Sequence, residues 1–140
     1  MALAWGDYCI IFCMTTPVMD ITPEKIALYR ASALRRQEGE RVEMASQKKH
    51  AWEAARRAAQ LLKDRFQVKR VVVFGSLIHE GSFTRWSDVD LAAWGIPTEQ
   101  TFQAIGAVLD LDAAIEINLV DVNACKPSLL EVIRREGVDI

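Results

Sequence analysis

Gly75-Ser76 and Asp88-Val89-Asp90 are separated by eleven residues, and together they carry most of the chemistry this sequence can suggest. A strand that ends in Gly-Ser and turns into a helix offers free backbone N–H groups. Glycine lets a phosphate approach the backbone, and the serine hydroxyl adds a donor. Asp88 and Asp90 are two apart, so on a strand their carboxylates leave the same face. Two carboxylates so placed repel one another unless a cation lies between them. Mg²⁺ takes one or two carboxylates and completes its shell with phosphate oxygens and water. A phosphate cradle beside such a pair is the layout for metal-assisted nucleotidyl transfer. Either half alone is weak, because Gly-Ser turns and solvated Asp-x-Asp strand ends are common.

The flanking elements must position these residues. Val71-Val72-Val73-Phe74 is a short, β-branched, fully apolar strand ended by Gly75. Asp88 to Trp94 reads as a second strand, ended by Gly95-Ile96-Pro97. Thr98 to Leu109 reads as a helix capped by Thr98, with Phe102, Ile105 and Leu109 on one face. Ile115 to Val122 reads as a third strand, and Pro127 to Arg135 as a closing helix with Gly137 just beyond it. Upstream, Thr22-Pro23-Glu24 starts a helix that runs to about Phe66, with Thr22 as N-cap and Gly39 as its weak point. Ala55, Ala59, Leu62 and Phe66 form its apolar stripe, and Glu53 and Arg57 an i, i+4 pair. Strands alternating with helices predict an α/β (α+β) fold, a small mixed β-sheet covered by helices. The expected organisation is a flexible leader over 1–20, a helical segment over 21–66 and a core over 67–140.

The run Val73-Phe74-Gly75-Ser76 through Ser87-Asp88-Val89-Asp90-Leu91 resembles the signature of the DNA polymerase β-like nucleotidyltransferase superfamily. More narrowly it resembles the minimal nucleotidyltransferases (MNT), whose partners are HEPN proteins. The resemblance covers roughly residues 68–140, including a last strand around Ile117–Asn123 and a closing helix over Leu129–Val138. It implies that Gly75 and Ser76 contact nucleotide phosphates and that Asp88 and Asp90 hold Mg²⁺ or Mn²⁺. It also implies AMP transfer from ATP to a tyrosine hydroxyl of a HEPN toxin, which would make the chain its antitoxin. The gap between Gly-Ser and Asp-x-Asp is about one residue longer than in the commonest members, and a loop between Ser76 and Gly81 would absorb it.

One departure bears on activity. The superfamily carries a third carboxylate on the next strand, and the best register puts Asn118 there. Asparagine cannot accept a proton as a base and is a weaker Mg²⁺ ligand. Glu116, two residues earlier, shares its strand face and has a longer reach. Asp121 has the opposite parity. Three readings stay open: Glu116 serves as the third acid, two acids suffice for slow turnover, or the domain binds nucleotide or a partner without turnover.

Composition narrows the field. The 140 residues are 51% apolar and 26% charged, the balance of one globular domain that can bury its own core. Net charge is −2, but residues 24–70 carry +7 and residues 71–140 carry −7. Three cysteines (Cys9, Cys13, Cys125) argue against a disulfide framework and for a reducing cytoplasm. Neither His50 nor His79 lies near a cysteine in sequence, which disfavours a Cys/His zinc site. The Gly-rich fingerprints of dinucleotide and P-loop enzymes are missing. A sugar-nucleotide Asp-x-Asp transferase would leave Gly75-Ser76 unexplained and calls for a larger chain. Trp86 and Trp94 read as core or rim packing, and Cys125 as structural. Arg85 reads equally as a triphosphate contact or a solvated loop residue. A small core with an open acidic face predicts an oligomer or a hetero-complex.

Overall fold

The computed structural model describes residues 21–140. The expected leader, with Cys9 and Cys13, lies outside the described residues. The chain divides into a unit ending at Glu38 and a unit over Gly39–Ile140. Helix α1 (Pro23–Phe66) begins in the first and ends in the second. At its start the Lys25 N–H donates to Thr22 Oγ1 at 3.3 Å and the Ile26 N–H to the Thr22 carbonyl at 3.0 Å, so Thr22 caps it as its side chain predicts. In the first unit, Leu28, Tyr29 and Leu34 are exposed. The helix continues unbroken through Gly39, where an added Cβ would meet nothing within 4 Å. One glycine costs about 1 kcal/mol, too little to stop a helix with strong formers on both sides.

In the second unit the strands are β1 (Arg70–Phe74), β2 (Val89–Trp94), β3 (Ile117–Asp121) and β4 (Val138–Asp139). Their order is β3-β2-β1-β4, with β1 antiparallel to β2 and β4, and β2 parallel to β3. Two further helices, α2 (Thr101–Leu109) and α3 (Pro127–Glu136), complete the unit. This is the mixed, helix-covered sheet that the alternation of strands and helices predicts.

Strand alternation gives the sheet two unlike faces. Val71, Val73, Leu91 and Leu119 point to one side, against the carboxy-terminal part of α1 and against α2. There Ala55, Ala59, Leu62 and Phe66 are buried as their spacing predicts, joined by Ala51, Ala54 and Ala58. Alanines let the helix lie close, while valines and leucines of the sheet supply the volume. Val72, Phe74 and Ala92 point to the other side, against Ile133 of α3.

Several expectations need correction. Phe102 is 88% exposed and Leu109 is also exposed, while Ala104 and Val108 face the sheet with Ile105 beside them. The cause is at the helix start. Residues Thr98–Gln100 form a separate 3₁₀ turn, and Thr101 Oγ1 donates to Asp121 Oδ2 at 3.0 Å. That bond fixes the helix phase, so residues 101, 104 and 108 turn inward. Arg57 pairs with Asp112 instead of Glu53, and Glu53 Oε1 lies 4.0 Å from Lys49 Nζ. Trp86 is 84% exposed and packs in neither core nor rim. Strand β4 follows α3 at once. Gly137 makes this possible, since a Cβ there would stand 2.2 Å from Val72 Cγ1.

Candidate active site

The site forms where β1 ends and β2 begins, on the sheet face that α3 partly covers. Phe74 pairs with Asp90 across the antiparallel ladder, and Asp90 pairs with Asn118 across the parallel one. These three side chains therefore share a face, and Asp88, two residues before Asp90, shares it too. Beyond Phe74 the chain turns through a 3₁₀ turn, Gly75–Leu77, anchored by the buried Leu77. Gly75 adopts a φ of +79°, and a Cβ on it would stand 2.5 Å from Asp90 Oδ2. Glycine is thus required twice here, by its backbone conformation and by the carboxylate pressed against it. Ser76 is half-buried in the same turn.

The approach to Asp88 is equally constrained. The Thr84 N–H donates to Ser87 Oγ at 2.8 Å, and the Ser87 N–H donates to the Thr84 carbonyl at 3.0 Å. Buried Phe83 holds the front of this turn and buried Val89 the back. The Val89 N–H donates to the Glu116 carbonyl at 2.9 Å, which extends the β2–β3 ladder to its edge.

Electrostatics single out Asp90. Partial burial raises its carboxyl above the ordinary range, and the neighbouring Asp88 charge adds to that, while the Asn118 amide opposes it. The same amide lies 3.5 Å from Asp88 Oδ2. Asn118 thus faces both carboxylates, quieting with an amide a site where a third carboxylate would deepen the repulsion. Two same-face carboxylates and an amide make an oxygen-rich donor set suited to Mg²⁺ or Mn²⁺.

The other sequence candidates fall elsewhere. Glu116 is exposed just before β3. No group of three His, Cys, Asp or Glu side chains gathers closely enough to hold a metal among the described residues, so Glu116 does not complete a triad with the pair in this conformation. Asp121 turns away, accepting from Thr101 and from the Asn123 N–H. His79 Nε2 lies 3.0 Å from Glu136 Oε2. Arg135 first, then His79, holds the Glu136 carboxyl below its usual range. Arg85 reaches Glu43 at 3.4 Å, and Cys125 Sγ donates to the Val122 carbonyl at 3.4 Å. The Thr84–Ser87 clasp and the contact of Gly75 with Asp90 were not anticipated from the sequence. A Thr-x-x-Ser turn directly before Asp88 was the available signal for the first.

Residues 55–137 match the nucleotidyltransferase domain family. The chain belongs to that family. The nucleotidyltransferase match begins inside α1, at the stretch whose alanines pack on the sheet. Among solved structures, a mutant MntA–HpeT toxin–antitoxin complex is 17% identical with a TM-score of 0.51, over 61% of this chain and 70% of that one. A toxin–antitoxin structure with AMP-PNP is 20% identical with a TM-score of 0.49, over 58% and 67%. A tri-AMPylated Shewanella oneidensis HEPN toxin in complex with MNT antitoxin is 16% identical with a TM-score of 0.48, over 64% and 70%. The first of these shares the fold, as the resemblance to the minimal nucleotidyltransferases predicts. No curated protein matches significantly. Among the described residues, no helix is long and apolar enough to cross a membrane.

Proposed function

We propose that this nucleotidyltransferase moves AMP from ATP to a tyrosine hydroxyl of a HEPN-type toxin and so acts as its antitoxin. The observation that carries the reading is the meeting of Gly75, Asp90 and Asn118 on one face, with Asp88 two residues away. The MntA–HpeT neighbour, itself a toxin–antitoxin pair, supports the choice of partner class. The hydroxyl oxygen bonds to the α-phosphorus, the bond from that phosphorus to the α–β bridging oxygen breaks, and pyrophosphate leaves. Backbone N–H groups at Gly75-Ser76 and the Ser76 hydroxyl orient the phosphates. Asp88 and Asp90 would hold Mg²⁺ or Mn²⁺, which supplies neutralisation of the charge on the phosphate oxygens. Glu116 is our candidate to accept the hydroxyl proton, after a change of side-chain rotamer. The reaction belongs in the cytoplasm, where ATP is available and thiols stay reduced.

A second reading follows from Asn118. With an amide opposite Asp90 in the ladder, the domain would neutralise its partner by binding, with slow turnover or none. Intact-mass analysis of a co-expressed HEPN-type protein separates the two. Addition of AMP masses with wild type, and none with Asp90→Asn, upholds transfer. An unmodified partner that co-purifies with both chains overturns transfer and favours binding.

A further inference from the structure

Beyond Gly75-Ser76 the chain soon leaves the interior of the second unit. Leu77 is buried and Ile78 partly so, but His79, Glu80, Gly81 and Ser82 are all exposed, and the next buried residue is Phe83. No apolar contact holds this stretch, so what ties it down is polar. Within it the Ser82 N–H donates to the His79 carbonyl at 3.4 Å, which is local. Among the described residues, positions 75–82 make a single side-chain hydrogen bond to the rest of the unit, between His79 Nε2 and Glu136 Oε2 at 3.0 Å. A carboxylate only accepts, so the imidazole carries a proton on Nε2 and donates it.

The far end of that bond is well fixed. Glu136 is the last residue of α3, directly before Gly137. The Gly137 N–H donates to the Ile133 carbonyl at 2.9 Å, and a Cβ on Gly137 would stand 2.2 Å from Val72 Cγ1, so the backbone there lies against β1. Arg135 Nη2 donates to Glu136 Oε1 at 2.8 Å, which leaves Oε2 to His79. A carboxylate already aligned by one donor has less side-chain freedom to lose to a second. The Gly75–Leu77 turn is thus gripped on two sides, by Asp90 against Gly75 at its entry and by α3 through His79 just past its exit.

Resting on the transfer reading above, we propose that His79 is a positioning residue, which through Glu136 holds the Gly75–Leu77 turn in the conformation that meets the nucleotide phosphates. Several N–H groups must be aligned at once to take a phosphate, so fixing the turn before binding favours the nucleotide. Direct contact of His79 with a phosphate is the competing role. Nε2 is already given to Glu136, and a neutral imidazole has no second N–H to offer.

The test uses the full chain with ATP and a co-expressed, purified HEPN-type protein as acceptor. His79→Ala is expected to raise the KM for ATP about fivefold, the size of one partly exposed ion pair, with the KM for the acceptor within about twofold of wild type. Glu136→Ala should do the same, and the double variant should be no worse than either, since both break one bridge. His79→Gln, whose amide N–H can donate in place of the ring, should restore most of the loss. An unchanged KM for ATP in His79→Ala overturns the proposal. So does a loss that Glu136→Ala does not share, which would assign the ring to the nucleotide itself, and so do losses that multiply in the double variant. If wild type transfers nothing, the transfer reading fails by itself, and the bridge is then read from amide hydrogen exchange. Exchange at Ser76 and Leu77 that is about fivefold faster in each single variant, and no faster in the double, upholds the positioning role. Wild-type exchange rates in His79→Ala overturn it.

Discussion

The two faces of the sheet divide the work of this molecule unequally. One face meets α1 and α2 through a continuous apolar cluster that includes Leu62, Leu91 and Ile117, all fully buried. The other face holds a smaller cluster around Phe74, Ala92 and Ile133, and then gives way to Asp88, Asp90 and Asn118. Adjacent residues of β2 serve both ends: Leu91 packs the dry side while Asp90 stands with Asn118 on the other. A single strand thus carries core packing and the candidate site at alternate positions. The candidate site lies where the second helix cover stops.

This division can be broken experimentally, beginning with the dry face. Leu62→Ala is expected to lower unfolding free energy by about 3 kcal/mol, from lost burial plus the cavity left behind. Urea denaturation reads it, and a variant as stable as wild type would erase the distinction between the faces. Asp90→Asn should do the reverse. AMP transfer should drop at least a hundredfold, equivalent to about 2.7 kcal/mol of barrier, while the melting temperature does not fall. The reason is that burial beside Asp88 already disfavours the Asp90 charge.

Acidification should separate the faces further. The Asp112 side chain is 7% exposed and lies against Arg57 and His50 of α1. Its Oδ2 is 3.0 Å from His50 Nε2, close enough for attraction although the ring is off-line for a hydrogen bond. Burial raises the Asp112 carboxyl, but the Ala114 N–H, His50 and Arg57 outweigh this and hold it at about 2. A depressed folded value contributes stability above the unfolded value near 3.9, and that stability is lost as pH falls from about 4 towards 2. The contribution is about 2 kcal/mol. Asp112→Asn should remove that part of the acid dependence, read by denaturation at pH 5 and pH 3. Asp90 has the opposite sign: its raised value favours the folded state at low pH and lessens stability as pH rises through it.

Asn118→Asp sharpens the comparison at the site. A third carboxylate there should lower stability by about 1 kcal/mol in chelator. Mn²⁺ should restore it, and transfer should quicken if two acids were limiting. Melting with and without Mn²⁺ gives the first readout and partner intact mass the second. The smallest effect is expected at Phe102→Ser. At 88% exposure it should change stability by less than about 0.5 kcal/mol.

Local pattern made much of this legible. Val71–Phe74 could only be a buried strand, Thr22-Pro23 could only begin a helix, and the parity of Asp88, Asp90 and Asn118 fixed which side chains share a face. What the sequence hid came from tertiary contacts. The phase of α2 depends on a hydroxyl of Thr101 finding Asp121 twenty residues away. Strand β4 exists because β1 offers a free edge and Gly137 lets the chain reach it, neither of which a two-residue strand announces by periodicity. Glu116 satisfied the parity rule, yet the ladder ends beside it, and parity alone does not bring a side chain inward.

Strand β2 lies between β1 and β3, so its backbone is paired on both sides. Gly75-Ser76 lies beyond the end of β1, outside the ladder. Amide hydrogen exchange should therefore divide the site in time. The amides of β2 open only with the whole sheet, whereas those of the Gly75–Leu77 turn open in local fluctuations. Asp90 would then stand on the slow half of the candidate site and the Gly75–Leu77 turn on the fast half.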